Sequence, residues 1–337
     1  MQWLYGKPKH IESRQDNNEY TLDMDNVNDF FATLSSFLWG WPMIVLLLGT
    51  HVFLTVRLRF PQRKLFTAIR ISVQRDKSQK GDVSQFGALA TALAATIGTG
   101  NIIGVATAVA LGGPGAVFWC WLTGVFGIST KYSEALLAIK YRVKSESGRM
   151  LGGPMYTLER GLGWRKMGML FAVFTAIAAF GIGCTVQANA ISTIMHASYG
   201  ISTEVSGGVL MLLSAAVIIG GVRSISKVCS MLVPLMALLY VLGCIFILCV
   251  NAGYVMPALR LIVSSAFSPQ AAGGGFAGAS VIMAARYGIA RGLFSNESGL
   301  GSAPIVAAAA RTKNPVRQAL VSSTGTFWDT VVICALT

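Results

Sequence analysis

Long apolar runs alternate with short loops rich in Lys and Arg along this chain. Runs at 37–56, 118–139, 169–191, 204–222 and 229–250 have about the 20 residues that an α-helix needs to cross a bilayer. Two further runs, 84–110 and 276–310, are built largely from small residues. The last, 318–337, stops at Thr337 without a polar tail and reads as a span cut short. The pattern predicts an all-α integral membrane protein. A polar N-terminal extension, 1–33, precedes a single transmembrane domain, 34–337. Residues 1–33 are mixed in charge and predict little order.

The run 84–110 contains "ATIGTGNIIG", residues 95–104, with three glycines and two polar residues in hydrocarbon. Glycine weakens a helix by about 1 kcal/mol relative to alanine. An interrupted helix bares carbonyls at one end and amides at the other. Within a bilayer these survive only where protein or a polar cavity satisfies them. Carbonyls freed there can ligate Na+, and amides at the positive end of the next half-helix can hold a carboxylate, with Thr99 and Asn101 as side-chain partners. The competing reading is that Gly98, Gly100 and Gly104 only permit close helix packing.

The run 276–310 repeats these ingredients in "RGLFSNESGLGSAP", 291–304. Phe294, Ser295, Asn296 and Glu297 are consecutive there, flanked by Gly292, Gly299, Gly301 and Pro304. Four spans' worth of chain separate the two breaks, so they insert with opposite topology. Paired interrupted segments of this kind mark inverted-repeat secondary transporters. The second half then calls for three more helices after the one starting near Arg317, and the chain reads as truncated at its C-terminus.

Ionisable residues at membrane depth default to a functional hypothesis. Glu297 is a candidate for coupling, or else pairs with Arg286 or Arg291. Glu134 either pairs locally with Lys131 or Lys140 or serves as a gate. Asp329, in "GTFWDTVV", lies deeper. Gln187 either donates to a substrate carboxylate or makes a helix–helix hydrogen bond.

Composition supports insertion. The chain is 53% hydrophobic and 12% charged, with a mean hydropathy of +0.59; soluble domains carry about 25% charged residues. The net charge of +13 sits in loops, which argues for membrane topology instead of nucleic-acid binding. Eight Lys/Arg and one acid lie between Arg57 and Lys80. Loops 140–166 and 311–317 are also basic. By the positive-inside rule all three face the cytoplasm, and the N-terminus lies outside. The six cysteines lack CxxC spacing and read as small buried hydrophobes. HExxH, GxSxG and GxxxxGK[ST] are all missing, so no enzyme and no ATP-driven pump is expected, and no cofactor.

"GDVSQFGALATALAATIGTGNIIGVATAVALGGPGAVFWCW" (81–121) resembles the alanine/glycine:cation symporter family, also called sodium:alanine symporters. So do "TKYSEALLAIKYR" (130–142), "GGPMYTLERGLG" (152–163), "AAFGIGCTVQ" (178–187), "RGLFSNESGLGSAP" and "RQALVSSTGTFWDT" (317–330). The resemblance implies a leucine-transporter-type fold, with one leading helix before two inverted five-helix repeats. It implies Na+-coupled uptake of a small neutral amino acid, alanine or glycine, across the plasma (inner) membrane of a prokaryote. The substrate site it implies includes Thr99, Gly100, Gln187 and Phe294, completed by a tryptophan in an eighth core helix that these residues do not include. The implied sodium site joins carbonyls around Ala95, Thr96 and Gly98 to hydroxyls of that same helix. H+ coupling through Glu297 or Asp329 is the alternative. The oligomeric state stays open.

Overall fold

The computed structural model describes residues 18–74, 81–267 and 281–337, with side chains from residue 27 onward except 182 and 183. Most of the predicted polar extension, the end of the 57–80 loop and the start of the 276–310 run therefore lie outside the described residues. The chain divides into two compact units, 1–43 and 44–337. In the first, α1 (Asn18–Leu38) is followed by the start of α2 (Trp41–Arg57).

The second unit continues through α2 and a short 3-10 turn into α3 (Leu65–Ser72). Next come α4 (Gln85–Thr96), α5 (Thr99–Gly112) and α6 (Gly115–Lys140). A two-residue hairpin, β1 (Val143–Lys144) with β2 (Met150–Leu151), and α7 (Pro154–Leu162) fill the next loop. A π-helical stretch joins α8 (Arg165–Ala178) to α9 (Val186–Tyr199). Then follow α10 (Thr203–Ile218), α11 (Gly221–Val250) and α12 (Ala252–Phe267). The last helices are α13 (Val281–Asn296), α14 (Ala303–Ala308), α15 (Pro315–Thr326) and the terminal turn α16 (Cys334–Leu336).

Local chemistry sets many of the ends. Ser84 accepts from the Gly87 amide to cap α4, and Asn314 accepts from Val316 and Arg317 to cap α15 ahead of Pro315. Gly163 and Gly200 stop α7 and α9 in the left-handed conformation.

Among the described residues, four helical stretches are long and apolar enough to cross a membrane: Val27–Arg57, Arg165–Tyr199, Gly221–Val250 and Pro315–Leu336. The bent pair α4 and α5 makes a fifth if taken as one span. The run at 204–222 yields a helix of only 16 residues. The run at 118–139 forms α6, 26 residues long, whose sequence is more polar because its faces meet protein. Gly124, Gly127, Ser129 and Thr130 are buried there. Small and hydroxylated residues suit contacts between helices inside a membrane, where long aliphatics bring no hydrophobic advantage. Gly288 and Gly292 of α13 complete the seam: a Cβ at Gly288 would sit 2.2 Å from the Ala116 carbonyl oxygen. By contrast α8, α10 and α11 expose Phe174, Leu212, Leu238 and Phe246, as lipid-facing helices do.

The basic loops meet at one end of the bundle. Asp82 and Val83 donate to the Ala309 carbonyl, and Arg311 donates back to Val83 at 2.7 Å. Arg142 reaches over from the hairpin side to the carbonyls of Ala308, Ala310 and Thr312. Burial draws its guanidinium below the ordinary arginine value, and Asp82 opposes that shift.

Candidate functional site

The first interruption is narrow. Only Ile97 and Gly98 separate α4 from α5, and the axis bends by 42°. Gly98 is extended, with φ −171°. Asn101 begins the second half-helix from inside it. Its Oδ1 accepts from the Gly98 amide at 2.8 Å, and its own amide donates to the Gly98 carbonyl at 3.1 Å. The amides of Thr99 and Gly100, in the first turn of α5, precede any intrahelical acceptor.

The second interruption is wider. Glu297 to Ser302 lie between α13 and the six-residue α14. Glu297, Gly299 and Gly301 have φ of 51°, 90° and 85°. Glu297 at positive φ is uncommon for a residue with a Cβ. Its carboxylate accepts from the Ser302 hydroxyl within the loop. That replaces the expected pairing with Arg286 or Arg291. Arg286 stacks beside Tyr287, and Arg291 turns to the first break.

The two breaks adjoin. Arg291 Nη2 donates to the Gly100 carbonyl, and its guanidinium lies 5.2 Å from the centre of the Phe294 ring. It fills the room left by absent side chains at Gly100 and Gly104.

The predicted site residues separate into two sets. Thr99 donates to Gln187 Oε1 at 2.7 Å, tying α5 to α9. A Cβ at Gly98 would lie 3.3 Å from Gln187 Nε2. Gly98, Thr99, Gly100, Gln187 and Phe294 are all partly accessible, and Ala95 is exposed. The other set is closed. Asn101 Nδ2 donates to Asp329 Oδ1 at 2.7 Å and to Ser295 Oγ at 3.1 Å. Ser295 and Thr330 donate to Asp329 Oδ2 at 3.0 and 2.7 Å. Asn101, Ser295 and Asp329 are 1%, 4% and 0% exposed. This cluster links both broken helices to the π-helical stretch after α15, and its polar atoms are spent on one another.

Asn296, 1% exposed, uses Oδ1 to accept from the Ser298 amide, while its carbonyl accepts from Lys131 Nζ at 2.8 Å. The expected local pairing of Glu134 with Lys131 or Lys140 does not form within ion-pair distance among the described residues, where Arg165 with Glu159 makes a salt bridge. Lys131 instead turns toward the second break, and Glu134 Oε2 is buried without a hydrogen-bond partner. Lys131 and Arg291 were missed as organisers of the site. The usable signal was a cation deep within an apolar helix. Thr96 lines a small cavity with Lys131 and Asn296, with room for a single water-sized particle. Groups of three or more His, Cys, Asp or Glu able to hold a metal are absent among the described residues.

Comparison with known proteins follows this geometry. The profile described as "Sodium:alanine symporter family" matches residues 24–337. A Haemophilus influenzae protein described as an uncharacterized transporter is 52% identical over 313 residues, 92% of this chain and 69% of its own. The sodium/alanine symporter AgcS of Methanococcus maripaludis is 53% identical over 312 residues, 90% of this chain and 68% of AgcS. The putative sodium/proton-dependent alanine carrier protein YrbD of Bacillus subtilis is 40% identical over 309 residues, 92% of this chain and 63% of YrbD.

Proposed function

Because the chain belongs to the sodium:alanine symporter family, and so to the amino-acid:cation symporters rather than the enzymes, we propose that it couples inward Na+ movement to uptake of alanine or glycine by alternating access. One observation carries the reading: at the narrow break Gly98, Thr99 and Gly100 stay partly accessible, with Thr99 bonded to Gln187, and Phe294 is partly accessible too.

In this reading Na+ is held by carbonyls at the end of α4, around Ala95, Thr96 and Gly98. A helix C-terminus carries about half a negative charge and favours a cation. The substrate carboxylate meets the amides of Thr99 and Gly100. The Asn101 amide is already engaged, so its side chain acts as a cap and as the link to Asp329. Gln187 orients Thr99 and supplies its amide group to the carboxylate. Phe294 closes over a small side chain, and the Gly, Ala and Thr positions nearby leave room for little more than a methyl group. Ser295, Asn296 and Asp329 hold the breaks in register. We read the breaks as the starts of two inverted repeats that rock against a scaffold. Each Na+ entering down the potential contributes about 2.3 kcal/mol per 100 mV. Uptake runs across a prokaryotic plasma membrane, with the N-terminus outside and the basic loops in the cytoplasm.

The test is labelled-alanine uptake by the full-length protein in liposomes, with Na+ replaced by choline at fixed pH. Uptake should vanish in choline and saturate with alanine in Na+. Uptake that persists in choline and follows an imposed pH gradient supports H+ coupling instead, with Glu297 or Asp329 as carrier. The buried position of Asp329 between both breaks favours it over Glu297 for that role.

A further inference from the structure

A cleft of about 320 Å³ lies where α11 starts, against the chain that leads into α4. Arg223, Lys227 and Arg311 line it, together with Ser84, Ser226 and Ser230. The three cations are exposed, and none stands within ion-pair distance of a carboxylate among the described residues. Arg311 donates to the Asp82 carbonyl at 3.4 Å. Asp82, the acid on the wall, is 6% exposed, and its Oδ2 accepts from the Met150 amide at 2.8 Å.

This arrangement runs against local free energies. Arg223 and Lys227 are four residues apart on α11, and like charges at that spacing repel. Both lie in the first two turns of a 30-residue helix, at the positive end of its dipole, and its first turn holds no acid. Ser84, the cap of α4, stands on the same wall, so a second helix begins at the cleft. An anion between the two helix starts relieves all of these repulsions together.

Hydroxyls converge beside the cations. α11 enters the room left by Gly87: a Cβ there would lie 2.2 Å from Ser226 Oγ, 3.0 Å from Ser84 Oγ and 3.4 Å from Ser230 Oγ. Ser84 Oγ accepts from the Gly87 amide, and Ser230 donates to the Ser226 carbonyl. Ser226 is 5% exposed, and its hydroxyl makes no hydrogen bond among the described residues. Several acceptor oxygens and a negative charge on one small group describe a phosphate. The helix face that carries Arg223 and Lys227 continues, four residues at a time, into Met231 and Leu235, both exposed. A phospholipid whose headgroup enters the cleft can lay its chains along that face.

We propose that the cleft between α11 and the start of α4 is a phosphate-binding site, filled in the membrane by the headgroup of an anionic phospholipid. None of its side chains belongs to either break, and the site does not depend on what the protein carries.

The test is the Tm of the full-length protein in neutral detergent at low salt, titrated with phosphatidylglycerol, phosphatidylcholine or inorganic phosphate. Phosphatidylglycerol should raise the Tm to a plateau, and phosphatidylcholine should not. Arg223→Gln combined with Lys227→Gln should raise the phosphatidylglycerol concentration at half effect by about tenfold or more. Without lipid the same double variant should be at least as stable as the wild type, because a like-charge pair is gone. Ser226→Ala should raise the half-effect concentration about fivefold; no change would take the hydroxyls out of the site. Arg63→Gln combined with Lys64→Gln removes equal charge from an exposed loop and should leave the titration as it is. A half-effect unmoved at Arg223 and Lys227 overturns the proposal. So does an equal weakening by both double variants, which would mean general attraction to a basic surface. Inorganic phosphate that gives the whole effect, with phosphatidylglycerol adding none, keeps the phosphate site and overturns its lipid occupant.

Discussion

The two interruptions solve the same problem in opposite ways. The first spans two residues with no positive φ among them, and the helix resumes after a 42° bend. The second spans six residues, three at positive φ, and is braced by Ser302, Thr326 and Lys131. Around the first, Gly98, Thr99, Gly100 and Gln187 are partly accessible while Ile97 and Asn101 are buried; in the second, Ser298 and Gly301 are buried, Glu297, Leu300 and Ser302 are partly accessible and Gly299 is exposed. The contrast teaches that an unwound stretch is not by itself a binding site. At each break the protein consumes some polar groups and leaves others: Asn101, Ser295 and Asp329 bond one another, while Gly98, Thr99 and Gly100 at the first and Glu297 and Ser302 at the second stay partly accessible.

The largest effect should come from the seam that keeps the second break in place. Gly288→Val would drive a side chain into the Ala116 carbonyl and Trp119. Backbone cannot retreat cheaply, so a loss of about 3 kcal/mol is expected. Size-exclusion chromatography in detergent should show no monodisperse transporter; a normal profile would mean that α13 and α6 do not pack this closely.

Asp329→Ala attacks the cluster shared by both breaks. It strips acceptors from Asn101, Ser295 and Thr330, at about 1–3 kcal/mol for each buried group left unpaired. Alanine uptake should fall to near background with protein still recoverable from the membrane. Retention of half the wild-type rate would remove this cluster from the account.

A matched pair of glycines compares the breaks directly. Gly299 has φ +90° and would meet Leu47 at 2.9 Å, so Gly299→Ala should cost about 1–2 kcal/mol in backbone strain alone. Gly98 is extended, so Gly98→Ala should leave thermal stability nearly unchanged and raise the KM for alanine through its contact with Gln187. Equal drops in Tm for both would erase the distinction drawn between them.

The smallest change is Thr99→Val, which keeps shape and removes the hydrogen bond to Gln187. A bond worth about 1 kcal/mol predicts a KM raised about fivefold with Vmax little changed. A shift in Vmax alone would place Thr99 in the conformational step.

Much of this was legible before any coordinates. Glycine at 98, 299 and 301 and the polar residues beside them marked both breaks, because two stretches of poor helix formers with polar neighbours in hydrocarbon fit interruption better than close packing alone. The partners were not legible. Glu297 had two arginines in sequence reach, yet it bonds Ser302 in its own loop. Lys131 and Glu134 had the spacing of a local pair, yet they form no ion pair and Lys131 turns to the end of another helix. Sequence spacing predicts contacts along one helix; it says nothing of which unpaired helix end another helix will present. Asp329 was recognisable as deep and polar, but only folding brought Asn101 and Ser295 to it across 228 and 34 residues of chain.

The sequence by itself determined that this chain is helical, inserted in a membrane and interrupted twice. Those properties follow from local free energies: apolar length against bilayer thickness, and glycine and proline against helix continuity. Only the tertiary structure decided which polar groups at the two breaks are consumed and which stay accessible. That depends on how polar groups distant in the chain are shared out when helices pack, where most buried donors take an acceptor within about 3 Å.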